Sequence, residues 1–103
     1  MDRLAQLLAM LADNPRDPFL QHALALEHIK RGEEREAERL FRTILQEDPS
    51  YVGSYYHLGK LLERTGRNDE AMAWYEKGME EAKRAGAQRA YNELHSAKEE
   101  LEE

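Results

Sequence analysis

Apolar residues recur every three or four positions along most of the chain, which is the spacing of one face of an α-helix. Between short polar or Pro- and Gly-containing segments, this pattern predicts six helices. They are expected near residues 3–13, 17–31, 34–47, 52–65, 68–84 and 87–102. Asp17–Pro18 and Asn68–Asp69 are typical of a capping residue followed by the first helical position. The sequence therefore predicts an all-α protein.

The pattern repeats itself after 34 residues. The repeated positions include small residues where helices can approach closely, and glycines suited to the left-handed turn that ends a helix. The aligned pairs are Leu24 with Leu58, Ala25 with Gly59, Gly32 with Gly66, Glu36 with Glu70, Ala37 with Ala71, and Phe41 with Tyr75. An internal period of this length indicates a repeat architecture.

The first helix fits the same period. Pro15 aligns with Pro49, and three apolar residues align with apolar residues of the third helix: Leu7 with Phe41, Met10 with Ile44 and Leu11 with Leu45. Residues 3–13 therefore resemble the second helix of a repeat, a half-repeat.

This layout resembles the tetratricopeptide repeat family, whose repeats are helix pairs of 34 residues. The first repeat supplies Leu24, Ala25, Gly32, Ala37, Phe41, Ile44 and Pro49, and the second supplies Tyr55, Leu58, Gly59, Gly66, Ala71 and Tyr75. The resemblance covers about residues 3–84. Three positions depart from the family pattern: Gln21 replaces a large residue, Gly78 replaces Ala and Lys83 replaces the closing Pro.

The resemblance implies antiparallel helix-pair repeats that form a short right-handed α-superhelix. We expect one domain over residues 1–103, with a half-repeat at 3–13, repeat one at 17–49 and repeat two at 52–84. The apolar stripe of the last helix, 87–102, is two residues out of step with the repeats. This helix is therefore expected to cap the array, covering the last repeat with one face and exposing the other.

Charge and composition limit the classes of partner and the cellular location that we expect. The net charge is −6, which disfavours nucleic-acid and anionic-membrane partners because both need a basic face. No apolar run reaches transmembrane length. The chain has no cysteine, which fits a reducing compartment and favours a cytoplasmic location.

We expect no enzyme, no metal and no cofactor. The four histidines, His22, His28, His57 and His95, do not form an i, i+4 pair with a third ligand nearby. No glycine-rich phosphate loop is present. Most carboxylates alternate with Lys and Arg, which is typical of solvated helix faces.

The resemblance assigns a ligand groove to the first helix of each pair. The corresponding residues are Phe19, His22, Leu26 and Ile29 in repeat one, and Tyr56, His57, Lys60 and Arg64 in repeat two. Phe19, Leu26 and Tyr56 are candidate anchors, and Lys60 or Arg64 is expected to contact an acidic group. The Lys and Asn clamp with which some family members hold chaperone tails is absent. Alternatively, an amphipathic stripe such as that of Phe19, Leu26 and Ile29 packs as core.

We therefore predict a non-catalytic adaptor or scaffold that binds a protein or peptide of unspecified identity on its concave face. The alternative is a self-association module whose exposed repeat edges form a homo-oligomer, with the edge of Leu4, Leu8 and Leu11 as the contact. Both a monomer and a weak homodimer are compatible with the sequence.

Overall fold

The computed structural model describes residues 2–103, which form six helices and no strand. The helix ends differ from the predicted ranges by at most one residue. The helices are α1 (Arg3–Asp13), α2 (Pro18–Lys30), α3 (Glu34–Glu47), α4 (Gly53–Arg64), α5 (Asn68–Ala85) and α6 (Gln88–Glu102). The all-α class predicted from the hydrophobic pattern is confirmed.

Carboxylate caps begin the first two helices. Asp2 accepts a hydrogen bond from the backbone N–H of Ala5 at 2.8 Å, and Asp17 accepts one from Phe19 at 2.9 Å. Each bond satisfies an N–H group that has no partner inside the helix. The start of α5 differs from prediction, because Asn68 is its first helical residue and the cap, Arg67, makes no side-chain bond to the helix.

Three glycines end helices in the same way. Gly32, Gly66 and Gly86 have φ angles of +76°, +79° and +70°, a conformation that costs residues with a Cβ. After each glycine, the next backbone N–H returns to a carbonyl five residues earlier, as in the bond of 2.8 Å from Glu33 to His28. This pattern is a Schellman motif. The 34-residue period predicted the turns at Gly32 and Gly66, whereas Gly86 belongs to the unmatched final segment.

The contacts divide the chain into two compact units, of which the first ends at Asp48 and the second covers Pro49–Glu103. In the first unit, α2 packs against both α1 and α3. Arg31 at the end of α2 lies 3.6 Å from Asp2 before α1, and the rings of His22 and Phe41 are 5.5 Å apart. The core contains Leu7, Leu24, Ala25, Ala37, Phe41, Ile44 and Leu45.

In the second unit, α4 and α5 are antiparallel and approach closely through two glycines. A Cβ at Gly59 would collide with the Tyr75 ring, and one at Gly78 would lie 2.6 Å from Cβ of Tyr55. On each helix a glycine thus leaves space for a tyrosine of the other helix, and both tyrosines are fully buried. The unusual glycine at position 78 therefore has a steric reason.

Helix α6 covers α5 with one face and contacts α4. Leu94 and Ala97 are buried, while Arg89, Asn92 and all four glutamates of α6 are exposed. Lys98 of α6 lies 3.4 Å from Glu76 of α5. One face of α6 is therefore buried and the other is in contact with solvent.

The contact between Gly59 and Tyr75 gives a first prediction. Gly59→Ala should destabilise the protein by about 1–3 kcal/mol, because the methyl group overpacks a filled site, although Ala is normally favoured over Gly inside a helix by about 1 kcal/mol. Urea unfolding followed by circular dichroism measures this difference.

Gly53→Ala on the same helix is the control. Gly53 is exposed, so its replacement should be neutral or slightly stabilising. Equal effects of the two substitutions would contradict the steric account.

Candidate functional site

The predicted residues of the first unit lie on α2 and differ in exposure. His22, Leu26 and Ile29 are half-buried, whereas Phe19 is 66% exposed. The edge-on contact of the His22 ring with Phe41 joins this residue to the core of the unit. Phe19 is therefore the residue of this set that offers most apolar area to a partner.

The predicted residues of the second unit lie on α4. Tyr56, His57 and Lys60 are half-buried and Arg64 is exposed. The Tyr56 and His57 rings meet edge to face, with centroids 5.6 Å apart. The ammonium of Lys60 lies 5.7 Å from the centroid of the Tyr56 ring, within the range of a cation–π interaction. The structure thus brings Tyr56 together with both His57 and Lys60.

Tyr56 and Lys60 line a hollow between α4 and α6. The hollow has a volume of about 290 Å³ and is lined by Tyr56, Lys60, Asn92, Glu93, Ser96, Ala97 and Glu100. The α6 residues were not among the predicted site residues, since the sequence indicated a solvated face for this helix. The sequence did contain an indication of this polar surface, because Glu93, Ser96 and Glu100 lie at i, i+3 and i+7 of one helix face.

A short network fixes Lys60 at the edge of this hollow. Its ammonium lies 3.8 Å from a carboxylate oxygen of Glu63, and the buried Tyr75 hydroxyl donates a hydrogen bond to the same carboxylate. Burial, followed by this hydrogen bond, raises the pKa of Tyr75 far above its ordinary value. Tyr75 therefore stays protonated and acts as a donor that orients Glu63.

His57 lies beside the same surface and has an altered proton affinity. Partial burial is the main reason that the pKa of His57 lies below its ordinary value of 6.5, and Arg64 lowers it further while Glu93 opposes the shift. Burial disfavours the charged imidazolium because less water surrounds it. His57 therefore favours the neutral form at pH 7.

Within residues 2–103 the structure contains no group of three or more His, Cys, Asp or Glu side chains arranged to hold a metal ion. None of the helices in this range is both long and apolar enough to cross a membrane.

The low pKa of His57 gives a second prediction. Folding holds the pKa below 6.5, so the unfolded chain binds more protons as the pH falls through that value. The free energy of unfolding should therefore decrease between pH 7.5 and pH 5.5, and His57→Gln should reduce this decrease. Urea unfolding of both proteins at the two pH values measures the effect. An unchanged pH dependence in His57→Gln would contradict the assignment.

Comparison with known proteins agrees with this architecture. Residues 22–88 match the family model described as tetratricopeptide repeat. A tetratricopeptide repeat domain protein from Salinibacter ruber is 46% identical, and its crystal structure matches with a TM-score of 0.81 over 84% of this chain and 96% of that one. Its solution structure gives a TM-score of 0.82 over 85% and 89% of the two chains.

More distant relatives share the fold. A Bordetella parapertussis protein with a solution structure is 27% identical, with a TM-score of 0.83 over 98% of this chain and 88% of that one. MamA is 21% identical with a TM-score of 0.76, over 82% of this chain and 49% of MamA, and is similar in fold alone. No curated protein matches the chain.

The tetratricopeptide repeat fold generally mediates protein–protein interactions and is generally non-catalytic. The family match covers more than half of the chain, and the Salinibacter ruber protein is closely similar over most of its length. The helix pairs, the glycine turns and these matches agree: the chain belongs to the tetratricopeptide repeat family.

Proposed function

We propose that this chain is a non-catalytic adaptor or scaffold that binds a peptide or protein segment, and that the hollow between α4 and α6 is a principal contact site. The observation that carries the proposal is the half-buried Tyr56 ring at the edge of this hollow, facing polar side chains of α6. In this proposal residues 1–103 act as one cytoplasmic domain, made of a half-repeat, two repeats (17–49 and 52–84) and a capping helix.

The surroundings of Tyr56 suit an anchor for a partner. The Tyr56 ring has His57 at its edge and Lys60 over it. Tyr56 belongs to α4, in which the nearby residues Tyr55 and Leu58 are fully buried. A residue held in this way loses little freedom on binding, which lowers the entropic cost of association. Tyrosine is also enriched among the residues that dominate binding energies at interfaces.

The form of the hollow favours a peptide over a small metabolite. Pockets for small molecules usually enclose most of the ligand and are mainly apolar. This hollow is open, and its lining includes Lys60, Asn92, Glu93, Ser96 and Glu100. Such a surface suits one or two side chains of a longer segment, with polar contacts at its rim.

The α2 residues Phe19, His22, Leu26 and Ile29 are proposed as a further contact surface on the first unit. Phe19 offers the largest exposed apolar side chain in this set, and Leu26 and Ile29 are half-buried.

The proposal predicts that Tyr56→Ala weakens peptide binding. Peptides would be selected from a random 12-residue display library against the intact protein, and their affinities measured by fluorescence polarisation. We expect Tyr56→Ala to raise Kd at least about tenfold, since the loss of a central aromatic anchor commonly costs more than about 1.4 kcal/mol.

Tyr91→Ala is the matched control, because Tyr91 is a half-buried tyrosine of the same unit that does not line this hollow. It should retain the affinity. If Tyr91→Ala weakens binding and Tyr56→Ala does not, the site is wrong. If no peptide is selected, the proposed function is contradicted.

Self-association is a second candidate function, favoured by the exposed apolar side chains of α1. Leu8 is 52% and Met10 41% exposed. In the 34-residue alignment, Leu4 and Leu8 correspond to Glu38 and Arg42, which form an ion pair of 2.9 Å in α3. In α1 the leucines at these positions leave Leu8 exposed, and two leucines at this spacing favour burial against a partner helix.

Sedimentation over a hundredfold concentration range tests this alternative. A second copy of the chain on α1 would raise the mass from 12.0 kDa towards twice that value as the concentration rises. Leu8→Glu should then restore the monomer. Gln6→Glu adds the same charge to another exposed face of α1 and should leave the dimer intact. A constant monomer mass for the unchanged protein would contradict self-association.

A further inference from the structure

The charges around the hollow between α4 and α6 indicate what kind of segment it favours. The lining contains one cation, Lys60, and two carboxylates, Glu93 and Glu100. The carboxylate of Glu63 lies beside Lys60 at 3.8 Å. The hollow and its edge therefore carry more negative than positive charge.

Lys60 already has partners within the second unit. Its ammonium contacts the Glu63 carboxylate and lies over the Tyr56 ring. An acidic ligand would have to compete with both interactions, and it would also approach the carboxylates of α6. The acidic partner expected from Lys60 and Arg64 alone is therefore disfavoured by the surroundings that the fold gives to Lys60.

The two α6 carboxylates are available to a partner. Among the described residues, Glu93 forms one ion pair, with Arg89 at 4.0 Å, and the Arg89 side chain is 95% exposed. Such exposed pairs contribute little to stability. Glu100 is exposed and takes part in no ion pair among residues 2–103. A partner cation therefore displaces little at either position.

The spacing of the carboxylates suits an extended basic segment. Glu93 and Glu100 are two helical turns apart on one face, a distance of about 10 Å along the axis at 1.5 Å per residue. In the polyproline II form of an extended peptide, which has three residues per turn and a rise of about 3.1 Å, residues i and i+3 lie on the same side about 9 Å apart. Two basic side chains at this spacing can reach the two carboxylates while the peptide passes Tyr56. The interaction of Tyr56 with Lys60 shows that this ring accepts a cation at its face.

We propose that this hollow recognises a basic peptide segment, with arginine or lysine side chains three residues apart that pair with Glu93 and Glu100 beside Tyr56. This inference rests on the proposed function and specifies the chemistry of its partner. Arginine is the better fit of the two, because its planar guanidinium bonds carboxylates through two N–H groups and stacks on aromatic rings.

NMR titration of the intact, isotope-labelled protein tests the proposal. The probes are two blocked tetrapeptides, acetyl-Arg-Ala-Leu-Arg-amide and acetyl-Glu-Ala-Leu-Glu-amide. We expect the arginine peptide to shift the amide signals of the hollow, namely Tyr56, Lys60, Glu93, Ser96 and Glu100, and to bind more weakly as NaCl is added. The glutamate peptide should cause no such shifts.

A pair of double variants separates the site from the general charge of the protein. Glu93→Gln with Glu100→Gln should weaken binding of the arginine peptide about tenfold. Glu80→Gln with Glu102→Gln changes the net charge equally at exposed positions that do not line this hollow, and should leave Kd unchanged. The signal dispersion of each variant reports whether it is folded.

Equal weakening in both double variants, shifts spread over the whole acidic surface, or preferential binding of the glutamate peptide would overturn the proposal. If neither tetrapeptide binds, but selected 12-residue peptides bind in a Tyr56-dependent way without enrichment of Arg or Lys, the basic preference is wrong and peptide binding stands. If no peptide binds at all, the proposed function itself fails.

Discussion

The close approach of α4 and α5 is the constraint on which the second unit depends. Gly59 leaves room for the Tyr75 ring and Gly78 leaves room for Tyr55, so both rings lie between helices that side chains would otherwise hold apart. Burial of an aromatic side chain contributes about 1.5–3 kcal/mol. Tyr55 also donates a hydrogen bond of 2.6 Å to the carbonyl of Pro49, which satisfies its buried hydroxyl.

The candidate surface follows from this packing. Because Tyr75 lies against Gly59, its hydroxyl reaches Glu63, and Glu63 in turn contacts Lys60. Lys60 then lies over Tyr56 at the edge of the hollow. A sequence of contacts thus links the buried core to the surface, and it fixes both the position of the tyrosine anchor and the partial neutralisation of the neighbouring lysine. Organisation before binding is what makes a small polar hollow useful for recognition.

Helices α1 and α3 of the first unit use equivalent repeat positions for different surfaces. In α3 the half-buried positions 38 and 42 carry a salt bridge, whereas the corresponding positions of α1 carry leucines. Helical propensity does not distinguish the two faces, because Leu, Glu and Arg all favour helices. The difference is one of solvation, and it makes α1 the part of the described chain best suited to an apolar contact, while α4 and α6 offer a polar one.

The sequence by itself determined the 34-residue repeat and the glycine turns that end its helices. Hydrophobic periodicity placed the helices to within one residue, and the 34-residue match placed the turns at Gly32 and Gly66, because both signals are local. Only the tertiary structure gave the steric reason for the glycine at position 78. Only the tertiary structure placed the hollow between α4 and α6. Tyr56 and Glu93 are far apart in sequence, and α6 is out of step with the repeats, so no periodic rule relates them. The charge that a partner meets depends on which side chains share a surface, and helix packing decides which side chains these are.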